Sequence, residues 1–184
     1  MLELIKEIRE ETGAGVIDVK KALEEASGDK EKALDILREK GLKKADKKAN
    51  RIAGEGVVVS YVHADGKSGA ILKLLCETDF VAKNSDFQEL ANDIAMQVVA
   101  MSPVAITKED VTEEMLAEEI AELQESGLGE KEMADKIEEL KETKALYSQA
   151  FVKNPELTVE ELIKSKIAAI GENIKVAEFV KMDI

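Results

Sequence analysis

The chain has 184 residues, enough for one medium-sized domain or for a small module joined to a larger domain. Its formal net charge of −13 argues against binding nucleic acid, because such proteins need a basic surface that displaces counterions from phosphates. No apolar stretch approaches the roughly 20 residues that span a bilayer, and the first residues lack the pattern of a signal peptide. Since Cys76 is the single cysteine, no internal disulfide can form. We expect a cytoplasmic protein that binds no membrane.

Charge is distributed unevenly along the chain. Residues 1–51 contain 13 basic and 12 acidic side chains, whereas the remaining residues contain 13 basic and 27 acidic ones. This contrast predicts two modules with different surfaces. Aromatic residues make up only 3% of the chain, so the core must consist mainly of aliphatic side chains.

Three short amphipathic helices are predicted within a first domain, residues 1–41. The first stops near Gly13, and the third begins with Asp29 as its N-cap and stops at Gly41. The middle helix carries an apolar stripe that consists of Val16, Ile17, Val19, Ala22, Leu23 and Ala26. A basic, repetitive stretch, residues 42–55, then predicts a helical or semi-flexible linker. No aromatic residues for base stacking interrupt its lysines, so a solvated linker is favoured over an RNA-binding one.

Residues 56–184 are expected to form a core domain of the α+β class. Residues 57–62 and 70–76 predict an antiparallel hairpin, and residues 173–182 predict a last strand. We expect a small antiparallel sheet packed by helices. Ser85, in a capping box with Gln88, is expected to open one of these helices.

A helical hairpin is predicted for residues 108–147, with a break at Gly127-Leu128-Gly129. Residues 108–144 contain 14 acidic side chains against 5 lysines. Carboxylates at this density on helices are typical of a solvated face rather than of paired acid and base catalysts.

The residue types needed for covalent catalysis or metal binding are scarce. His63, the only histidine, lies beside a predicted turn and is expected to be solvated, while Cys76 is expected to be a small buried hydrophobe. Gly66-Lys67-Ser68 resembles the end of a phosphate-binding loop, but Tyr61 stands where that motif needs a glycine. We therefore expect a binding protein with no cofactor, no metal and no catalytic residue.

Several motifs, in order along the chain, are shared with one known family. They are Arg9–Gly15, Asp18–Leu23, Arg51–Gly56, Cys76–Asn84, Phe151–Pro155 and Ile170–Ile174. With these motifs in this order and spacing, the chain resembles the elongation factor Ts family. That family consists of guanine nucleotide exchange factors for the translational GTPase elongation factor Tu.

The resemblance implies a fold, a partner and two contact regions. The three N-terminal helices would be similar to ubiquitin-associated domains and would grip the nucleotide-binding domain of elongation factor Tu through Val16, Ile17 and, more weakly, Lys20. The family motif that dislodges the partner's Mg²⁺ matches Thr78, Asp79, Phe80 and Val81. A homodimer giving a 2:2 complex is a further expectation.

The chain departs from the family pattern in three ways. It has room for one core subdomain and no coiled-coil insertion, the stretch before Phe151 is a few residues short, and Ala150 stands where proline is common. These departures bear on the acidic hairpin and on any dimer interface it supports. Without the resemblance, Phe80 would be expected in the core, and the N-terminal module would be a candidate binder of ubiquitin-like adaptors.

Overall fold

The computed structural model describes residues 2–125 and 128–184, and it is of the predicted α+β class. The helices in this part of the chain are α1 (Leu2–Thr12), α2 (Val16–Glu25), α3 (Lys30–Asp46), α4 (Asp79–Ala82), α5 (Ser85–Met101), α6 (Ala117–Glu125), α7 (Glu130–Lys144) and α8 (Val159–Ile170). The strands are β1 (Glu55–Val62), β2 (Ser68–Cys76), β3 (Ala150–Phe151), β4 (Asn154–Thr158) and β5 (Lys175–Asp183). None of the described helices has the length and apolar composition needed to cross a bilayer.

The three N-terminal helices enclose a small aliphatic core. Its fully buried members include Ile8, Val19 and Ala33. Asp29 caps helix α3 as predicted, because its carboxylate accepts a hydrogen bond from the backbone N–H of Lys32 at 3.2 Å. The predicted three-helix arrangement is confirmed.

Helix α3 does not stop at Gly41, and that prediction was wrong. The helix continues through Gly41 to Asp46. A Cβ built on Gly41 would lie 3.5 Å from the Cβ of Ala168 on helix α8. Gly41 is therefore a close-packing position inside a helix rather than the left-handed residue that ends one.

Residues 42–55 were expected to form a solvated linker, but two of their lysines contact helices α2 and α8. The Nζ of Lys44 lies 2.7 Å from a carboxylate oxygen of Asp18, and the Nζ of Lys48 donates to the carbonyl of Ile167 at 3.5 Å. Burial lowers the pKa of Lys48. The boundaries 1–41, 42–55 and 56–184 stay a prediction, but the basic side chains within 42–55 are partly engaged.

The larger sheet has three strands in the order β1-β2-β5, which confirms the hairpin and the last strand. Residues 63–67 connect the hairpin, where the N–H of His63 donates to the carbonyl of Ser68 at 2.8 Å. A second sheet pairs β3 with β4 in antiparallel fashion, with Phe151 opposite Asn154. This small sheet was not predicted, because a two-residue strand is too short to produce an alternating pattern.

Helix α5 begins at Ser85 as predicted, and residues on both sides of its start take part in hydrogen bonds there. The side-chain oxygen of Asn84 accepts from the N–H of Asp86 at 2.7 Å, and the Gln88 amide donates to the carbonyl of Ala82 at 3.3 Å. Asn84 is therefore a capping side chain of this helix, because it precedes the first helical residue and accepts from one orphan amide of the first turn. The predicted capping box of Ser85 with Gln88 stays a prediction.

Helices α6 and α7 form within the acidic region, as the hairpin prediction required. Leu116 and Ala145 are buried in one cluster, with Ile120 and Leu140 packed against it. Single 3-10 turns at Lys108–Asp110, Glu114–Leu116 and Leu146–Ser148 flank the two helices. Of the predicted break, Gly127 lies outside the described residues.

The chain divides into two compact units. The first contains Met1–Val57, Leu74–Leu90 and Glu161–Ala177, and the second contains Val58–Lys73, Ala91–Glu160 and Glu178–Ile184. The first unit thus joins the N-terminal helices, the end of strand β2 and most of helix α8. Every residue that the sequence singled out as a partner contact belongs to this first unit.

Candidate functional site

The 78–81 segment, Thr78 to Val81, follows strand β2 after Glu77 and includes most of the one-turn helix α4. Thr78 precedes this helix in an extended conformation, and its hydroxyl accepts a hydrogen bond from the N–H of Val81 at 3.4 Å. Threonine is a favourable N-cap because its side-chain oxygen satisfies an amide that the first turn leaves unpaired. Since helix α5 begins soon afterwards at Ser85, the turn is confined at both ends.

Phe80 stands on the surface of this turn. Its side chain is 81% exposed, whereas Ala82 on the same turn is buried. Phe80 is therefore not in the core, where its residue type alone would place it. An exposed aromatic ring offers a large, rigid apolar surface for burial against another molecule.

Asp79 carries a charge next to this ring. A carboxylate oxygen of Asp79 accepts a hydrogen bond from the Nζ of Lys83 at 2.8 Å, one turn further on. That hydrogen bond holds the pKa of Asp79 below its ordinary value, and Asp79 raises the pKa of Lys83 in turn. Asp79 is accordingly ionised at neutral pH.

Glu172 binds the start of the 78–81 segment with both carboxylate oxygens. One oxygen accepts from the N–H of Glu77 at 3.1 Å and from the N–H of Thr78 at 3.0 Å. The other accepts from the Thr78 hydroxyl at 2.7 Å. A hydroxyl has one donor and two lone pairs, so Thr78 donates to Glu172 while accepting from Val81.

Glu77 in turn binds the residue that follows Glu172. Its Oε1 accepts from the N–H of Asn173 at 2.6 Å and lies 3.6 Å from the Nη1 of Arg51. The side-chain amide of buried Asn173 donates to the carbonyls of Ala49 at 3.1 Å and Arg51 at 2.8 Å. We call Glu77 and Glu172, with the backbone groups they bind, the carboxylate clasp.

Sequence reasoning did not identify the carboxylate clasp. Glu77 and Glu172 are 95 residues apart, and periodicity carries no information about contacts at that separation. The available signal was that each residue lies inside a motif of the family resemblance, Cys76–Asn84 for one and Ile170–Ile174 for the other.

Helix α2 presents a second surface. Val16 is 48% exposed and Ile17 is 70% exposed, although the predicted stripe placed both with the buried residues of this helix. Val19, one turn further on, is fully buried. Lys20 is exposed and lies 3.9 Å from a Glu24 carboxylate oxygen. The helix thus separates a buried face from an outward one that contains the proposed partner contacts.

The other residues considered for catalysis or phosphate binding have ordinary surroundings. Cys76 is buried, and burial raises the pKa of its thiol. His63 is exposed, and its Nδ1 lies 3.3 Å from the hydroxyl of Tyr61. Gly66 and Ser68 belong to the hairpin turn and to the start of strand β2. In residues 2–125 and 128–184, no group of three or more metal-ligating side chains is placed to hold an ion.

Comparison with known proteins gives a consistent assignment. The family described as Elongation factor TS matches residues 3–184. The chain is 46% identical to an elongation factor Ts of Carboxydothermus hydrogenoformans, with 99% of this chain and 88% of the relative aligned. It is 48% identical to one of Thermosipho melanesiensis and 47% identical to one of Fervidobacterium nodosum, with 97% and 96% of those relatives aligned. The chain belongs to the elongation factor Ts family.

Proposed function

We propose that the protein is a guanine nucleotide exchange factor for elongation factor Tu in translation elongation, acting in the cytoplasm. It binds the GDP complex, disturbs the partner's Mg²⁺ and phosphate site, and promotes GDP release so that GTP can bind. The observation that carries this proposal is the exposed ring of Phe80 on a one-turn helix held by Glu172. Family membership supports the choice of partner.

Exchange requires a factor that binds the empty GTPase more tightly than the GDP complex. Linkage makes this reciprocal, because any preference of the factor for the empty state weakens GDP binding by the same ratio. Couplings of about 1–3 kcal/mol change affinity roughly 5–150-fold, so a strong effect needs several contacts acting together. The contacts that distinguish the two states lie on the 78–81 segment, and a second surface of the first unit, on helix α2, supplies affinity.

The 78–81 segment supplies the contacts that separate the two states. Phe80 enters an apolar gap between partner helices, where full burial of such a side chain is worth about 1.5–3 kcal/mol. Asp79, ionised at neutral pH, brings a negative charge and two acceptor oxygens towards the partner's Mg²⁺. These displace the ion's ligands and weaken the hold on GDP. Thr78 and Val81 fix the turn that carries both side chains.

Helix α2 supplies affinity. Val16 and Ile17 bury apolar surface against the partner's nucleotide-binding domain, and Lys20 adds a positive charge beside them. These contacts act alike on the empty and loaded states, so they strengthen the complex without driving exchange. In this proposal the chain uses no cofactor and makes no covalent bond.

The direct test is release of a fluorescent GDP analogue from purified elongation factor Tu by stopped flow, with excess unlabelled GDP as trap. We expect release to accelerate with factor concentration and to saturate. Repeating the measurement in EDTA separates the Mg²⁺ contribution, and we expect the factor to accelerate release less once the ion is gone. A release rate that does not change with added factor would refute the proposed function.

The predicted 2:2 assembly is tested separately. Light scattering during gel filtration of the factor, alone and with its GTPase, measures the mass of each species. A dimer gives about twice the mass of 20.1 kDa for the free chain. A mass of one chain alone and of one factor per GTPase would contradict the homodimer and leave the exchange proposal standing.

A further inference from the structure

Helix α4 is too short to be stable without contacts from outside it. It has four residues, and a helix nucleus fixes several dihedral angles for very few hydrogen bonds. A turn of this length is stable only when groups outside it fix its ends. The position of Phe80 therefore depends on what holds both ends of the turn, and the residues just before it form one of these ends.

The carboxylate of Glu172 holds the residues just before helix α4. Glu172 accepts from the N–H of Glu77, from the N–H of Thr78 and from the Thr78 hydroxyl, at 3.1, 3.0 and 2.7 Å. Hydrogen bonds to a charged acceptor are about twice as strong as neutral ones. These three are also partly buried, which strengthens them further.

Glu172 is itself held in place. It follows Gly171, whose φ of +95° turns the chain out of helix α8. It precedes Asn173, whose N–H donates to Glu77 and whose side chain binds the carbonyls of Ala49 and Arg51. The backbone that carries Glu172 is thus held through Asn173, which binds Glu77 and the chain that follows helix α3.

We propose that Glu172 is a positioning residue for exchange: its carboxylate fixes Thr78 so that helix α4 presents Phe80 in the conformation that enters the partner. This rests on the proposed function. Glu172 acts through Thr78 and the backbone of the turn, and Phe80 and Asp79 make the contacts with the partner.

The proposal has a kinetic signature. If the clasp is lost, only a fraction of the factor carries a competent 78–81 segment at any moment. Helix α2 still docks the factor on the GTPase, so the half-saturating concentration changes little while the maximal release rate falls. A merely structural defect lowers the amount of folded factor instead, which leaves the rate at saturation unchanged.

The first experiment compares Glu172→Ala, Glu172→Gln and Glu89→Ala in stopped-flow release of fluorescent GDP. A charge-assisted hydrogen bond is worth roughly ten- to a hundredfold in an equilibrium. We expect Glu172→Ala to lower the maximal rate about tenfold or more, with half-saturation within about twofold of wild type. Glu89 is an exposed residue of helix α5, and its variant serves as the matched control with wild-type values.

Glu172→Gln should restore most of the lost rate. Its amide oxygen accepts from the two backbone N–H groups, and its NH₂ donates to the Thr78 hydroxyl oxygen. Rescue by glutamine indicates that hydrogen-bond geometry matters rather than the charge alone. Should Glu172→Ala fail to fold, Glu172→Asp replaces it, because the shorter side chain keeps the charge but cannot make all three contacts. It should lower the maximal rate in the same direction.

A second readout needs no GTPase. The chain contains no Trp, so Phe80→Trp introduces a single tryptophan on helix α4. In the free protein, with excitation near the red edge of indole absorption so that the two tyrosines are not excited, we expect Glu172→Ala to lower the fluorescence anisotropy of this reporter and Glu172→Gln to restore it. Urea unfolding of the same variants checks that they remain folded.

The outcomes separate the two hypotheses. A wild-type maximal rate in Glu172→Ala, or an unchanged reporter anisotropy, overturns the positioning role. If wild-type protein does not accelerate GDP release at all, the proposed exchange function is wrong. The anisotropy of the reporter then still decides whether Glu172 positions the 78–81 segment.

Discussion

Phe80 and Phe87 lie seven residues apart and have opposite environments: the side chain of Phe80 is 81% exposed, and that of Phe87 is fully buried. Phe87 lies on the inward face of helix α5, while Phe80 stands on the one-turn helix before it. The same residue type therefore has two roles within a short stretch. Phe87 contributes to stability, and Phe80 is available to a partner.

Replacing each phenylalanine by alanine should separate these roles. Phe80→Ala should change the free energy of unfolding by less than about 0.5 kcal/mol, as exposed substitutions do, while slowing GDP release at saturating factor. Phe87→Ala should cost about 3–5 kcal/mol of stability through loss of a buried ring. Urea denaturation and stopped-flow GDP release measure the two effects. An unchanged maximal release rate for Phe80→Ala would refute the proposed insertion of Phe80 between partner helices.

Apolar periodicity predicted the burial of Phe87 but not the exposure of Phe80. Phe87 belongs to an apolar series at helical spacing with Leu90 and Ile94, and all three are buried. No such pattern surrounds Phe80, and only the family motif indicated that its ring is exposed. Local periodicity reports which face of an element is buried, but not which isolated side chain is left outside.

The errors of prediction have a common physical origin. Gly41 looked like a helix stop because glycine is common after helices, yet helix α3 continues and the glycine packs near Ala168. The carboxylate clasp between Glu77 and Glu172 joins residues far apart in the chain. Both features depend on what the folded chain brings together, which a local pattern does not contain.

Val16→Asp tests the outward face of helix α2. The new charge would meet the partner surface, and burying an unpaired carboxylate is costly. We expect weaker binding to elongation factor Tu in calorimetry, with little loss of stability because Val16 is half exposed. Met115→Asp is a matched control, since Met115 is equally exposed but lies in the acidic region. Equal affinities for wild type and Val16→Asp would contradict the helix α2 contact.

Asp79 and Lys83 give a prediction about pH. The hydrogen bond from Lys83 holds the pKa of Asp79 below its ordinary value of 3.8. The unfolded chain therefore binds the proton more readily. The stabilising contribution of Asp79 is complete above about pH 5 and is lost as pH falls through the folded-state pKa.

Lys83→Met should raise the pKa of Asp79 towards 3.8, as measured by the carboxyl ¹³C shift in an NMR titration. GDP release near pH 7 should show no titration of Asp79 in either protein, because the carboxylate is charged in both. An Asp79 titration curve that is identical with and without Lys83 would exclude the proposed cause of the shift.

Gly41 and Gly171 should respond in opposite directions to alanine. Gly41 has room for a Cβ at an ordinary van der Waals distance of 3.5 Å from Ala168 inside helix α3. Gly41→Ala should therefore stabilise the protein by up to about 1 kcal/mol. Gly171 has a φ of +95°, so Gly171→Ala should destabilise it by at least about 1–2 kcal/mol. Urea unfolding of both variants measures the difference. Destabilisation by Gly41→Ala would mean that helix α8 cannot accept one extra methyl group at this contact.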